Sequence, residues 1–253
     1  MPEKFTIPGK CHSMPLSHPD LRAQRAVMPE YSNEIPGLPA NLNIATVVSV
    51  PFDENTYIVW KAGDSRAIVI DPGLQPAEIL RELEKLKLEL QAIWLTHGHA
   101  DHIGGNAALK RRYPDVPILI HPLDEQKLTD PWQNLSAQFG LEIVSPPADR
   151  LINEDEVLEV GGISWRVAHL PGHCRGHVVF ISQELEPTVV LAGDTLFNGS
   201  VGRTDFPDGD PPALLKGIRE KLYTLPDSTI ILPGHGPMTT IGEEKESNPY
   251  VQA

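Results

Sequence analysis

The chain has 253 residues, enough for one sizeable domain and too few for several. Its 21 Lys and Arg stand against 34 Asp and Glu, a formal net charge of -13, which argues against the basic footprint that a nucleic-acid binder needs. No apolar run is long enough to span a membrane, the N-terminus lacks a signal-peptide core, and Cys11 and Cys174 are too few for a disulfide framework, so a soluble cytoplasmic protein is expected.

Pro2, Pro8, Pro15, Pro19, Pro29, Pro36 and Pro39 fall among polar neighbours with no sustained apolar period. Residues 1–43 are therefore expected to form an arm, extended or partly disordered, ahead of a folded domain over 44–253. His12 and His18 in that arm read as polar filler. Strand-like apolar runs follow at 44–50, 56–61, 67–71, 92–96, 118–121, 163–170, 177–182, 188–192 and 229–232. They alternate with helical periods: 77–90, with Ile79, Leu80, Leu83, Leu86 and Leu90 near one side; a shorter run ending near Tyr113; and 212–225, with Leu214, Leu215, Ile218, Leu222 and Leu225. Sheets this apolar need helices over their outer faces, which places the chain in the α/β class.

Four of these strands deliver metal-ligand chemistry at their ends. The densest stretch is Thr96-His97-Gly98-His99-Ala100-Asp101-His102, three imidazoles and a carboxylate just after a buried strand. Further along, Pro171-Gly172-His173, Ala192-Gly193-Asp194 and Pro233-Gly234-His235 each place one acceptor after an apolar run. Together they supply His97, His99 and His173 for one ion and Asp101, His102 and His235 for a second, with Asp194 able to bridge through its two oxygens. Imidazole with carboxylate suits zinc first, with iron and manganese as alternatives, and the shortage of thiolate argues against a closed structural zinc site.

The order of these motifs, from about residue 44 to 250, resembles the metallo-β-lactamase superfamily and, within it, the hydroxyacylglutathione hydrolase (glyoxalase II) group. Gly193 to Pro207 and Leu232 to Lys245 are similar to the short single-domain bacterial type. The resemblance implies an αββα sandwich, two mixed sheets flanked by helices with two divalent metals at one edge. It also implies that a metal-bound hydroxide cleaves a thioester such as S-lactoylglutathione, with Asp101 orienting the hydroxide. The chain ends 253 − 235 = 18 residues beyond His235, so the C-terminal helical domain that helps longer members hold glutathione is not expected.

Longer members grip the glutathione glycine with a Lys and a Tyr. Aligned on the resemblance, this chain offers Arg203 and Asp205 at those places. Arg203 can hold a carboxylate bidentately, whereas Asp205 repels an anion unless paired. Asp71, which ends a strand, is expected to accept the free N–H of a ligating imidazole, or else to cap the turn Asp71-Pro72-Gly73. Asn55, Tyr57 and Arg175 are candidates for the pocket lining, His177 has a supporting role, and His121 and Cys174 read as structural.

Two other functions compete. In a persulfide dioxygenase on the same scaffold, His97, His173 and Asp194 would hold one iron that acts on glutathione persulfide. In a non-catalytic metal-binding scaffold protein, the arm would recruit a partner. A β-lactamase ranks lower, since Asp194 stands where many such enzymes place a Cys. The expected partner is a small-molecule thioester, glutathione-derived in the first instance, and the sequence leaves the oligomeric state open.

Overall fold

The computed structural model describes residues 35–252; of the arm expected over 1–43, residues 1–34 lie outside the described residues. Ile35 and Leu38 already pack against the core, and the first strand begins at Leu42. The first half contains β1 (Leu42–Ser49), β2 (Glu54–Lys61), β3 (Arg66–Ile70), α1 (Pro76–Lys85), β4 (Glu89–Trp94), the short α2 (Ala100–Ile103), α3 (Asn106–Arg112), β5 (Ile118–Ile120) and β6 (Arg150–Leu151). The second contains β7 (Val157–Val160), β8 (Ile163–His169), β9 (Val178–Ser182), β10 (Val189–Gly193), the small hairpin β11 (Leu196–Phe197) and β12 (Ser200–Val201), α4 (Pro211–Gly217), β13 (Ile230–Pro233), β14 (Thr239–Thr240) and α5 (Ile241–Ser247).

Strands β1 to β6 form one mixed sheet in chain order, and a second runs β14-β13-β10-β9-β8-β7. Successive side chains of a strand point to opposite faces, so strands buried on both sides feed two cores. Val59, Ile68 and Trp94 of the first sheet meet Trp165, Phe180 and Leu191 of the second, with Trp94 and Phe180 ring centroids 5.2 Å apart. On the outer face of the first sheet, Ile58, Val69 and Ile93 pack with Ile79 and Leu83 of α1. On the outer face of the second, Val179 and Val190 pack with Leu214 of α4 and Ile218 of the following turn. This is the expected αββα sandwich of two mixed sheets flanked by helices.

The helix expected over 77–90 stops at Lys85. Lys87 takes φ 55, its N–H donates to the Glu84 carbonyl, and the Leu88 N–H donates to the Leu83 carbonyl. This is a Schellman ending built on a lysine. Leu90, expected on the helix, instead lies in β4.

Among the described residues no helix is long and apolar enough to cross a membrane. The two sheets meet at the ends of β4, β8, β10 and β13. There the Val178 N–H donates to the Thr96 carbonyl at 2.8 Å and the Asn55 N–H to the Gly234 carbonyl at 2.7 Å, while within the second sheet the Gly234 N–H donates to the Gly193 carbonyl at 2.8 Å.

Candidate metal centre

At that junction the sequence-predicted ligands converge. His97, His99 and His173 offer nitrogens within 4.8 Å of one another, as do the donor atoms of Asp101, His102 and His235. Asp194 touches both trios. Its Oδ1 is 3.4 Å from Nε2 of His102, and its Oδ2 is 3.5 Å from Nε2 of both His173 and His235.

Hydrogen bonds behind the rings fix which nitrogen faces inward. Asp71 accepts from the Thr96 N–H at 2.7 Å, from the Thr96 hydroxyl at 2.6 Å and from Nδ1 of His102 at 3.0 Å. Because the Thr96 hydroxyl spends its proton on Asp71, its oxygen is the acceptor for Nδ1 of His97 at 3.0 Å. Nδ1 of His173 donates to the Arg203 carbonyl at 2.8 Å, and Nδ1 of His235 to the Phe52 carbonyl at 3.0 Å. Four imidazoles therefore carry their proton outward on Nδ1 and aim an Nε2 lone pair inward. His99 is turned over, with Nδ1 2.8 Å from Nε2 of His173.

The resulting cavity is lined by acceptors facing acceptors. Nε2 of His97 and of His102 and Oδ1 of Asp194 are buried without a hydrogen-bond partner, and a buried unpaired polar atom costs about 1–3 kcal/mol. Protons cannot relieve all of them. Burial, reinforced by neighbouring imidazoles, holds His97 and His99 well below the usual histidine range and keeps them neutral. Asp194 lies far below the carboxylate range: burial opposes its charge, but His102, His173 and His235 outweigh it. His102 and His235 are shifted up instead, because burial opposes their charge but Asp194 and Asp101 outweigh it: the carboxylates call for positive charge at this point. Imidazole nitrogens and ionised carboxylates around shared points are what divalent cations require, so the residues fit the metals that the fold implies.

The backbone makes this density feasible. At Gly193, φ is 48 and a Cβ would collide with the Thr96 side chain and Nε2 of His177, so only glycine lets β10 pass so close to the loop carrying His97. The Asp194 N–H donates to Nε2 of His177 at 2.9 Å, and the His177 ring stacks on His97 at 4.8 Å. His177 thus steadies the strand end. Asp71 itself sits at φ 48, a conformation that its several hydrogen bonds hold in place.

Other expectations fare differently. Asn55 donates to the carbonyls of Pro233 and Gly236, and the Tyr57 hydroxyl to that of Pro233 at 2.8 Å. Both therefore brace the His235 loop from behind instead of lining the main pocket. Arg175 faces a separate cleft with His169 and Asp208. His121 stacks on His169, its ring centroid 4.2 Å away. Arg203 does line the pocket, but its guanidinium is held at 2.7 Å twice by Asp205 and lies over the Phe206 ring.

One buried polar group was not anticipated from the sequence. Asp124, fully buried, accepts from the Gly98 N–H at 2.9 Å, the Gly176 N–H at 2.8 Å and Sγ of Cys174 at 3.1 Å. It thereby ties the His97–His99 loop to the His173 loop. Asp124, Cys174 and Asp208 also have metal-ligand spacing, but the Lys127 ammonium fills their centre, 3.1 Å from Asp124 and 2.7 Å from Asp208. Burial and Asp124 together push the Cys174 thiol up, so it stays protonated.

The pattern of strand ends, convergent acceptors and αββα layers agrees with the comparison to known proteins. The model of the metallo-beta-lactamase superfamily matches residues 50–235. The chain belongs to this superfamily. It is 38% identical over 214 residues to the hydroxyacylglutathione hydrolase GloC of Haemophilus influenzae, spanning 84% of this chain and 99% of that one. Among solved structures, BLEG-1 B3 metallo-beta-lactamase superposes with a TM-score of 0.79 at 35% identity, covering 83% of this chain and all of that one. TTHA1623 in a di-iron-bound form gives a TM-score of 0.71 at 39% identity, covering 81% and 99%. The chain is thus a member of a metallo-hydrolase superfamily, with candidate His and Asp metal sites at the junction of its sheets.

Proposed function

We propose that the protein is a binuclear metal-dependent hydrolase that cleaves a thioester. The observation that carries this reading is the second trio. Asp101, His102 and His235 converge as closely as His97, His99 and His173 do, and Asp194 reaches both. A dioxygenase with one iron on His97, His173 and Asp194 leaves that second convergence without a purpose. The likeness to a di-iron-bound structure and to a hydroxyacylglutathione hydrolase supports the same choice.

His97, His99 and His173 would hold one cation, Asp101, His102 and His235 the other, and Asp194 both. When bound, such cations lower the pKa of a water toward neutrality and polarise a carbonyl. The protein's own groups do the rest. Asp71 locks His102 directly, and His97 through Thr96, in the tautomers that turn Nε2 inward. Asp101 faces the pocket, where its carboxylate can orient the attacking water.

Among the described residues that line this pocket there is neither Lys nor Tyr to protonate a departing amine. A thiol leaving group, with a pKa of about 8.5, departs as thiolate without such help. That preference points to a thioester over an amide.

The test is to load purified full-length protein with zinc, iron or manganese and to offer four compounds: S-lactoylglutathione, the acetyl thioester of N-acetylcysteamine, glutathione persulfide and a chromogenic β-lactam. Metal-dependent thioester loss is expected. Oxygen uptake with the persulfide would overturn the reading in favour of a dioxygenase, and turnover of the β-lactam alone would overturn it in favour of a lactamase.

A further inference from the structure

The pocket over the metal centre is walled by hydrocarbon. It encloses about 430 Å³, and beyond the proposed ligands its walls come chiefly from Phe52, Leu135, Phe139, Leu141, Phe197 and Phe206. Phe139 and Leu141 are 59% and 42% exposed, and Phe139 meets Phe52 edge-on, their ring centroids 5.6 Å apart. Apolar surface of this kind, concave and gathered over reacting groups, is what an apolar ligand covers.

This wall is a built feature. Leu135 takes φ 72, a left-handed conformation costly for a leucine, and its side chain lines the pocket. The buried Asn134 holds that conformation, since its side chain donates to the carbonyls of Lys127 and Ile143 and accepts from the Ser136 N–H. The Asn134 carbonyl in turn accepts from the Ala100 N–H at 3.0 Å, between His99 and Asp101. The segment carrying Leu135, Phe139 and Leu141 is thus pinned to the ligand loop itself.

Charge argues the same way. Arg203 is the one cationic side chain in the lining apart from the histidines, and both its Nε and an Nη are already paired with the Asp205 carboxylate. Asp101 and Asp194 add negative charge at the floor. To a peptide bearing two carboxylates, as glutathione does, this lining offers one exposed arginine shared with Asp205, whereas an alkyl or aryl chain needs only to cover the wall.

We infer that the pocket selects a thioester with an uncharged, apolar chain beside the scissile bond, and that glutathione's peptide contributes little to its recognition. This rests on the thioester reading above. The experiment measures kcat/KM on zinc-loaded full-length protein for acetyl, butanoyl and hexanoyl thioesters, each on N-acetylcysteamine and on glutathione. Acetyl thioesters of ethanethiol and hexanethiol decide whether the wall takes the acyl or the thiol side.

A rise of about three- to fourfold per methylene is expected, equal on the two carriers for an acyl-side chain. Phe139→Ser, an exposed site, and Leu135→Asn should each flatten the slope. In parallel, calorimetry on the same protein compares the non-hydrolysable thioethers S-methyl- and S-hexyl-N-acetylcysteamine with S-methyl- and S-hexylglutathione. Tight binding of both hexyl ligands and weak binding of both methyl ligands supports the inference. Affinity that follows the glutathione peptide whatever the chain, or no binding of S-hexyl-N-acetylcysteamine, overturns it. Chain-dependent binding without turnover of any thioester would support apolar-chain recognition by the wall and remove the hydrolase reading on which the thioester part rests.

Discussion

Oδ2 of Asp71 lies 3.0 Å from Nδ1 of His102 and 2.6 Å from the hydroxyl of Thr96, which in turn accepts from Nδ1 of His97. One carboxylate therefore sets the tautomer of an imidazole in each trio. Asp71→Asn should weaken metal binding by about 10- to 100-fold, the usual effect of losing such a partner. Competitive titration with a chromophoric chelator measures this, and an unchanged affinity would show that the tautomers are set elsewhere.

Asp194 is the group common to both trios, and Asp101 faces both the second trio and the pocket. Asp194→Asn and Asp101→Asn should each lower thioester turnover by about a thousandfold or more while leaving the circular dichroism spectrum unchanged, with Asp194→Asn also lowering bound metal. Near-normal turnover by either purified variant would contradict the assigned roles.

The pair formed by Lys127 and Asp124 is a different kind of interaction, since both side chains are almost fully buried. Removing one partner of a buried pair leaves an uncompensated charge and costs about 3–5 kcal/mol. Lys127→Met should then lower Tm by about 6–20 °C for a domain of this size. A thermal melt of metal-free protein isolates this from ligand effects; a change under 2 °C would mean that the Gly98 and Gly176 N–H groups and the Cys174 thiol satisfy Asp124 without Lys127.

Chelation should destabilise the protein without unfolding it. Metal at a hundred times its Kd adds about 2.7 kcal/mol to the native state, so the loaded protein should melt about 5–10 °C above its chelator-treated form. Identical melting curves would indicate that the convergent acceptors hold no cation under those conditions.

Much of this architecture was legible in the sequence because each candidate ligand follows a buried strand and most sit beside a glycine or proline. His97, His173, Asp194 and His235 announce themselves through a change from apolar run to tight turn, and strands buried on both faces imply covering helices. The ending of α1 was not legible, because Lys87 adopts the left-handed conformation that sequence reading expects of glycine. The same holds at Leu135, whose positive φ shapes the apolar wall. Asn55 and Tyr57 were expected near the pocket, but only three-dimensional pairing shows that they point to the back of the His235 loop. The clamp formed by Asp124 reaches residues 26 positions before it and 52 after it, separations over which no local pattern carries information.

The most direct test adds zinc stepwise to metal-free full-length protein while bound metal and hydrolysis of a neutral hexanoyl thioester are followed together. The account predicts that turnover appears with binding and reaches its plateau near two ions per chain. Saturation at one ion with no thioester loss, or activity indifferent to metal, would contradict it.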